Sequence, residues 1–348
     1  MKVDYILVGL GLAGLAFVEE LIEANKSFIV FEDNSQTSSL VAGGVYNPVI
    51  LKRYSPVWNA KEQLEIALPF YDKLERKFNK KFDVKFVTKK AFKSIEDQNN
   101  WFSSMDKPKV APYLDTELDK KSYSGVRGEH YFGNVKETGR IDTFELVNTY
   151  RAYLKENNWL RSEKFNHIAI SFHESSVQYQ DIISAKIVFS EGYGIKDNPY
   201  FNHLPLEEAK GESIIIHAPA LKIDFLLKST LFVMPIGKDL YKVGATFNST
   251  DKTSKPSSQG REELIEKLKK VINVPYKIVD QTAGIRPTVK DRRPLVGVHP
   301  KNPELSVLNG LGTRGVMIAP TVAKNLFRHL EFKERLDKEI DIKRFIKE

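Results

Sequence analysis

The stretch Tyr5-Ile6-Leu7-Val8-Gly9-Leu10-Gly11-Leu12-Ala13-Gly14 decides the fold. Four apolar residues run as a strand into three glycines spaced G-x-G-x-x-G. Leu15 to Ala24 follows with apolar residues at Leu15, Val18, Leu21 and Ile22, the spacing of a helix packed on a sheet. Asn25-Lys26 ends that helix, and Phe28 to Phe31 reads as a second strand that closes on Glu32. A compact β-α-β unit of this kind predicts a parallel sheet with a right-handed crossover. The same context turns the glycines into a dinucleotide site. Gly9 permits the tight turn, Gly11 lets backbone approach a pyrophosphate, and Gly14 allows close packing of helix on strand. Leu12 and Ala13, at the helix entry, add free N–H groups and the positive helix end. Glu32, with Asp33 beside it, is placed to accept hydrogen bonds from an adenosine ribose and disfavours a 2′-phosphate. FAD or NAD is therefore expected rather than NADP, and the loop alone does not choose between them.

Composition sets the remaining bounds. The 348 residues are roughly twice a usual domain, so two domains are expected. With 41% hydrophobic and 28% charged residues the chain has material for a sizeable core. It contains no cysteine, which excludes disulfides, thiolate metal sites, cysteine nucleophiles and a cysteinyl-flavin bond. The seven histidines form no metal pair at helical spacing, so no metal is expected. Ser38-Ser39 has no partnered His/Asp signal for nucleophilic hydrolysis. The apolar run Tyr5 to Val18 has the texture of a signal-peptide core. However, Asp4 precedes it, glycines interrupt it, and Glu19, Glu20 and Glu23 follow without a cleavage pattern. No other run approaches the roughly 18 apolar residues of a membrane span, and a soluble cytoplasmic protein is expected. The formal charge of +8 favours an anionic partner, although lysines spread along the chain read first as a solvated surface.

Trp58 to Phe78 reads as a helix, and short alternating strands such as Phe82-Val84-Phe86 begin after Lys81. A further helix opens after Gly139-Arg140-Ile141, with Asp142 or Thr143 as its cap and Leu146, Val147, Tyr150 and Leu154 as its buried face. Phe165 to Phe172, Val177 to Tyr179 and Ala185 to Phe189 are strand-like and close at Glu191-Gly192-Tyr193-Gly194. Ser213 to His217, Leu231 to Met234 and Tyr241 to Phe247 form another strand group, followed by a helix from Ser258 to Val271. Strands near Ile278 and at Leu305 to Leu308 lead to the turn Gly310 to Gly315 and a helix from Pro320 to Leu330. This alternation predicts an α/β fold (α+β overall). A discontinuous Rossmann-like FAD/NAD(P)-binding domain, 1–82, 139–212 and 281–348, carries an inserted mixed or antiparallel β-sheet substrate domain, 83–138 and 213–280.

Three further segments bear on the cofactor. They are Ser38-Ser39-Leu40-Val41-Ala42-Gly43-Gly44-Val45-Tyr46-Asn47-Pro48, then Ala283-Gly284-Ile285-Arg286-Pro287-Thr288 with Asp291, Pro294 and Gly297, then Asn309-Gly310-Leu311-Gly312-Thr313-Arg314-Gly315 with Ala319-Pro320. In this order and spacing the chain resembles the D-amino-acid oxidase superfamily of FAD-dependent oxidoreductases, which includes glycine and sarcosine oxidases. The resemblance is specific at both ends and weak from about residue 85 to 135. The Gly44–Pro48 and Leu311–Gly315 segments also resemble the FAD-dependent domain of the bifunctional tRNA methylaminomethyl-thiouridine biosynthesis protein, whose methyltransferase half has no counterpart here. The resemblance implies non-covalent FAD with its ring between the two domains. It implies that Arg286 binds a substrate carboxylate, where a guanidinium fork would fix the Cα–H near flavin N5. A structural salt bridge is the competing reading of that arginine. Gly43, Gly44 and Val45 would approach the ring or ribityl chain. Gly310, Gly312, Thr313, Arg314 and Gly315 would turn N–H groups and a helix end toward it, and Gly192 is expected in the same cofactor set.

The chain also departs from the pattern. Phe232 stands where glycine oxidases carry a tyrosine, so a hydroxyl for the carboxylate is missing. Tyr241 on the next strand is a candidate substitute, and Arg314 is offset by one residue from the family's arginine. Arg286, Phe232, Tyr241 and Arg314 are therefore the candidate catalytic residues. The leading expectation is oxidation of a small amine or amino acid by hydride transfer to flavin N5, with dioxygen or another acceptor taking the electrons. A second is oxidation of the carboxymethylaminomethyl group of a modified tRNA uridine, for which a positive patch at the site's mouth would speak. A third is a non-catalytic FAD-binding protein.

Overall fold

The computed structural model describes residues 1–127 and 131–345. Its first sheet is built on the glycine-loop unit. Lys2–Val8 and Phe28–Phe31 pair in parallel, and helix Leu12–Glu23 crosses between them. Ile182–Phe189 adds in parallel on the other side of Lys2–Val8, and Leu305–Asn309 follows it. The strands Tyr5–Val8 and Phe28–Phe31 are buried throughout, as a parallel sheet covered on both faces requires. Helices Leu12–Glu23, Ala60–Phe78, Thr143–Glu156 and Gly315–Phe332 share one core against the sheet. The opposite face is closed by aromatic rings, with Phe165 stacked on Tyr179 and edge-on to Phe31. The apolar run at the N-terminus is thus the centre of the sheet and its first helix. Among the described residues no helix is long and apolar enough to cross a membrane.

The second sheet takes its eight strands from two separate parts of the chain. Its order is Lys277–Val289, Leu206–His217, Leu240–Gly244, Phe232–Gly237, Leu226–Lys228, Thr88–Ala91, Phe132–Val135 and Leu114–Asp119. Each sheet therefore collects discontinuous segments, the architecture that the alternating pattern predicted. The Leu206–His217 and Lys277–Val289 strands pair antiparallel along their length, from Leu206 opposite Val289 to His217 opposite Lys277. The expected divisions at 212/213 and 280/281 fall inside these two strands.

Local signals account for most element starts. Asp142 accepts the Glu145 amide at 3.2 Å and caps helix Thr143–Glu156, as its sequence announces. Two expectations are corrected. Phe165 to Phe172 is not one strand but a 3₁₀ turn, His167–Ala169, followed by the two-residue strand Ser171–Phe172. The C-terminal helix begins at Gly315 rather than Pro320; Pro320 removes the N–H that would bond the Val316 carbonyl, and the Tyr71 hydroxyl donates to that carbonyl at 2.9 Å instead.

Candidate cofactor and substrate cleft

A continuous cleft of about 680 Å³ lies between the C-terminal ends of the parallel strands and one face of the second sheet. Val8, Phe31, Ser190 and Asn309 bring the strand ends of the first sheet to it, the usual place for a ligand in an open α/β sheet. The glycine turn forms one end. Gly9 has φ +91°, and a Cβ at Gly14 would stand 2.2 Å from the Gly9 carbonyl oxygen, so only hydrogen fits where helix meets strand. Gly14 itself lies behind the cleft wall, packing helix on strand as its spacing predicted. Glu32 closes this end. Its carboxylate accepts the Leu10 amide at 2.6 Å, the Asn34 amide at 2.8 Å and an Arg151 N–H at 3.1 Å. Ser39 lies at the helix entry and accepts the Leu12 amide at 3.2 Å.

The far end is formed by side chains on alternate positions of the second sheet. Arg286, Gly284, Gly211, Ser213, Lys242, Phe232 and Lys228 all face the cleft. A Cβ at Gly211 would fall 1.9 Å from Arg286 Nη2, so the missing side chain at 211 is what lets the guanidinium lie across the neighbouring strand. Arg286 donates to the Thr246 carbonyl at 3.3 Å and has no carboxylate partner among the described residues, against the salt-bridge reading. Burial alone lowers its pKa, which at a guanidinium leaves the charge in place. Arg314, at the entry of the C-terminal helix, likewise has no ion-pair partner among the described residues. Burial and the nearby Arg292 and Arg53 lower its pKa.

Of the residues singled out from sequence, Gly9, Gly11, Leu12, Ala13, Glu32, Asp33, Gly43, Gly44, Val45, Gly192, Gly312, Thr313, Arg314, Gly315, Arg286 and Phe232 line the cleft. Gly14, Gly310 and Tyr241 do not. Tyr241 is turned to the opposite face of its strand, buried in the core, and donates its hydroxyl to the Leu221 carbonyl. It therefore does not replace the hydroxyl that Phe232 lacks. Gly310 packs against Val289 and Leu295, where a Cβ would come within 2.6 Å. Gly44, though on the cleft wall, is a glycine for another reason. At φ +65° a Cβ would stand 1.9 Å from the Ile141 carbonyl oxygen, so the adjoining strand, rather than a ligand, excludes a side chain.

Sequence reasoning missed Ser39, Gly211, Lys228 and Lys242. Lys242 carried a signal, since it interrupts the apolar run Leu240-Tyr241-Lys242-Val243 at a cleft-facing position, whereas Lys228 closes the strand Leu226-Leu227-Lys228 where a solvated lysine is usual. The Lys242 ammonium donates to the Val41 and Ala42 carbonyls, at 2.6 and 3.2 Å, tying the 38–48 segment to the sheet. Burial brings its pKa down to about 8. Among the described residues no group of three His, Asp or Glu side chains stands close enough to hold a metal ion.

The cleft fits an extended dinucleotide. Backbone lines it at Gly9–Ala13, at Gly43–Val45 and again at Gly312–Gly315, and a Cβ at Gly312 would point into space with nothing nearer than 3.9 Å. Comparison with known proteins agrees. A family model described as DAO, FAD dependent oxidoreductase, matches residues 4–328. Glycine oxidase of Bacillus subtilis (strain 168) is 23% identical over 240 residues, 64% of this chain and 60% of that protein. The chain thus spans less than two thirds of that relative's length. The tRNA 5-methylaminomethyl-2-thiouridine biosynthesis bifunctional protein MnmC of Campylobacter jejuni subsp. doylei is 26% identical over 116 residues, 32% of this chain and 19% of that protein. In fold, the chain matches glycine oxidase from Geobacillus kaustophilus with a TM-score of 0.78 at 17% identity, over 96% of each chain.

Proposed function

Because this chain belongs to the DAO family of FAD-dependent oxidoreductases, we propose that it oxidises the C–N bond of a small amine or amino acid that carries a carboxylate. The observation behind the substrate class is Arg286, a largely buried guanidinium that faces the cleft with no counter-ion among the described residues. A carboxylate supplies that counter-ion in a bidentate geometry. Glycine oxidase, the name of the relative from Bacillus subtilis, is consistent with such a substrate.

In this reading the first sheet holds non-covalent FAD and the second holds the substrate. Bound FAD would supply the two-electron acceptor for the hydride leaving the α-carbon. The chain's own part is to bind and orient. Gly9, Gly11 and the first turn of helix Leu12–Glu23 hold the pyrophosphate, while Glu32 takes the ribose. Arg286 fixes one end of the substrate, which limits the orientations of its Cα–H. Phe232 forms an apolar wall there, so the carboxylate relies on Arg286 without a second hydroxyl donor. Water then cleaves the imine product to a carbonyl compound and an amine, and dioxygen or another acceptor takes the electrons. A cytoplasmic setting belongs to this reading.

The test is anaerobic reduction of the purified protein's flavin by glycine, sarcosine, D-amino acids and proline. Bleaching by one of these supports the reading. A flavin that none of them reduces points instead to a non-catalytic flavin-binding protein or to a larger substrate. That larger substrate has an observation of its own, since exposed Arg53 and Arg292 surround Arg314 at the edge of the cleft, and Lys52 lines it. Such a cationic rim suits the phosphates of a tRNA bearing a carboxymethylaminomethyl group, whose carboxylate would also reach Arg286. Salt-sensitive tRNA binding, weakened by Arg53→Ala and Arg292→Ala, would favour it, and salt-independent amine turnover would exclude it.

A further inference from the structure

Lys228 is the cation on the cleft floor that nothing in the fold explains. Its neighbour Lys242 is occupied by two carbonyls. Lys90, one strand away and in register, is held by Asp97 at 2.6 Å. The Lys228 ammonium has neither a hydrogen bond nor an ion pair among the described residues, and the charges around it are those of Lys90, Lys93 and Lys267. Burial and then these neighbours bring its pKa down to about 8. A largely buried ammonium with no acceptor and no counter-ion is costly to keep, whereas methionine or leucine would fill the same strand position without that cost.

Its place in the sheet shows what it faces. Lys228 stands opposite Phe232, Phe232 opposite Gly244, and Gly244 opposite Ser213, a single row across four strands on the cleft side. Arg286 lies across Gly211, two residues along the strand from Ser213. The backbones of Lys228 and Ser213 are three strand spacings, about 14 Å, apart, and the Arg286 guanidinium reaches over the Ser213 strand from the strand beyond it. Gly244, Ser213 and the apolar ring of Phe232 fill the row between them, with Phe232 Cζ 3.0 Å from where a Gly244 Cβ would be, and Lys242 in the next row is occupied by its two carbonyls. The floor thus presents two cations without an ion-pair partner among the described residues, one on either side of an uncharged row.

We propose that Lys228 determines substrate specificity by receiving a second anionic group, so that the amine oxidised here is a dicarboxylate with one carboxylate on Arg286 and the other on Lys228. This rests on the reading of the cleft as an amine-oxidising site. It assigns to Lys228 a part in binding and leaves the oxidation step as described.

The experiment compares sarcosine with iminodiacetate, which share a secondary amine and one carboxylate and differ by the second. With holoenzyme, iminodiacetate is expected to reduce the flavin with at least about tenfold higher kcat/KM than sarcosine. Lys228→Met is expected to lower the ratio of the two by about 10- to 100-fold, the worth of one charge-assisted contact, and Lys228→Arg to keep it. A wild-type preference for sarcosine, or a ratio that Lys228→Met and Lys228→Gln both leave unchanged, overturns the proposal. A second arm needs no turnover. Glutarate and butyrate differ by one carboxylate, and their binding is read from the flavin visible spectrum and from thermal melting. Selective binding of glutarate that is lost in Lys228→Met supports Lys228 as the second anion site; if in addition no amine reduces the flavin, the amine-oxidising reading falls and the anion site stands. Equal binding of the two acids to the wild-type protein overturns it.

Discussion

The two ends of the cleft solve the problem of holding charge in opposite ways. At the glycine turn the work is done by backbone. Gly9, Gly11 and the helix entry present amides, and the Glu32 carboxylate is held in place by Leu10, Asn34 and Arg151 with acceptor capacity left for a ribose hydroxyl. On the floor of the second sheet the work is left to side chains. Arg286 and Lys228 reach the cleft from strands without counter-ions among the described residues, beside a phenylalanine that offers none. The first end is complete before any ligand arrives and tolerates little change in shape. The second is incomplete in charge and tolerates change in shape better than change in chemistry. Substitutions at the two ends should therefore fail in different ways.

The largest effect is expected at Gly14→Val. A Cβ there meets the Gly9 carbonyl at 2.2 Å, and backbone cannot yield as a flexible side chain would. Overpacking of a core contact costs about 1–3 kcal/mol, and the displaced turn also moves the amides proposed to hold the phosphates. The purified variant should carry no flavin and melt well below the wild type. Stoichiometric flavin in Gly14→Val would show that the close packing is not required. Arg286→Ala should fail in the other manner. Flavin content is expected to stay near the wild-type level while KM for a carboxylated amine rises about 100-fold or more, the loss of a bidentate charged contact. If the variant only unfolds, Arg286 is structural and the contrast between the two ends collapses.

These two positions also show what could be read from sequence. Gly9 to Glu32 was legible because a dinucleotide turn is local, with strand, loop and helix inside about thirty residues whose spacing states the geometry. Arg286 was found through resemblance rather than through periodicity, since its strand reads poorly as one. Lys277–Val289 contains Asp280, Gln281, Gly284 and Pro287, and its partner Leu206–His217 contains Glu207, Glu208, Lys210, Gly211 and Glu212. Polar residues at such density announce a loop. In the structure they are satisfied in pairs that no local window contains. Lys210 reaches Asp251 at 2.6 Å, and Glu212 accepts from Ser257 and from Gln281, the last at 2.8 Å. Tertiary pairing, invisible to a local pattern, converts a charged segment into the longest ladder of the molecule. Lys228 was passed over for the reverse reason. A lysine ending an apolar strand looks like the strand's solvated end.

A smaller effect sharpens the same contrast without removing a charge. Gly211→Ala keeps Arg286 but places a methyl group 1.9 Å from its Nη2 in the present arrangement. Gly211 stands inside a regular ladder with its φ outside the left-handed region and so accommodates alanine, and stability should change little. The guanidinium must then move, and a contact that depends on fork geometry weakens with displacement. KM for the carboxylated amine is expected to rise about tenfold, less than for Arg286→Ala, with flavin content again unchanged. A KM equal to the wild type's would mean that the arginine is not held over Gly211 when substrate binds.

The smallest effect is expected at Tyr241, and it separates a residue on the cleft's sheet from a residue in the cleft. Tyr241 and Lys242 are adjacent in one strand, and alternation sends them to opposite faces. Lys242 reaches the 38–48 segment on the cleft side, whereas Tyr241 is buried behind the sheet with its hydroxyl on the Leu221 carbonyl. Burial is also the first cause of its raised pKa, so the group stays a neutral donor at working pH. Tyr241→Phe removes that donor and leaves a carbonyl unpaired, a loss of about 1 kcal/mol. The melting temperature should fall slightly, while kcat and KM for an amine substrate stay within about twofold of the wild-type values. If Tyr241 instead served as the hydroxyl that Phe232 lacks, KM would rise and the melting temperature would hold. The two readings of this tyrosine thus predict opposite pairs of outcomes from one variant.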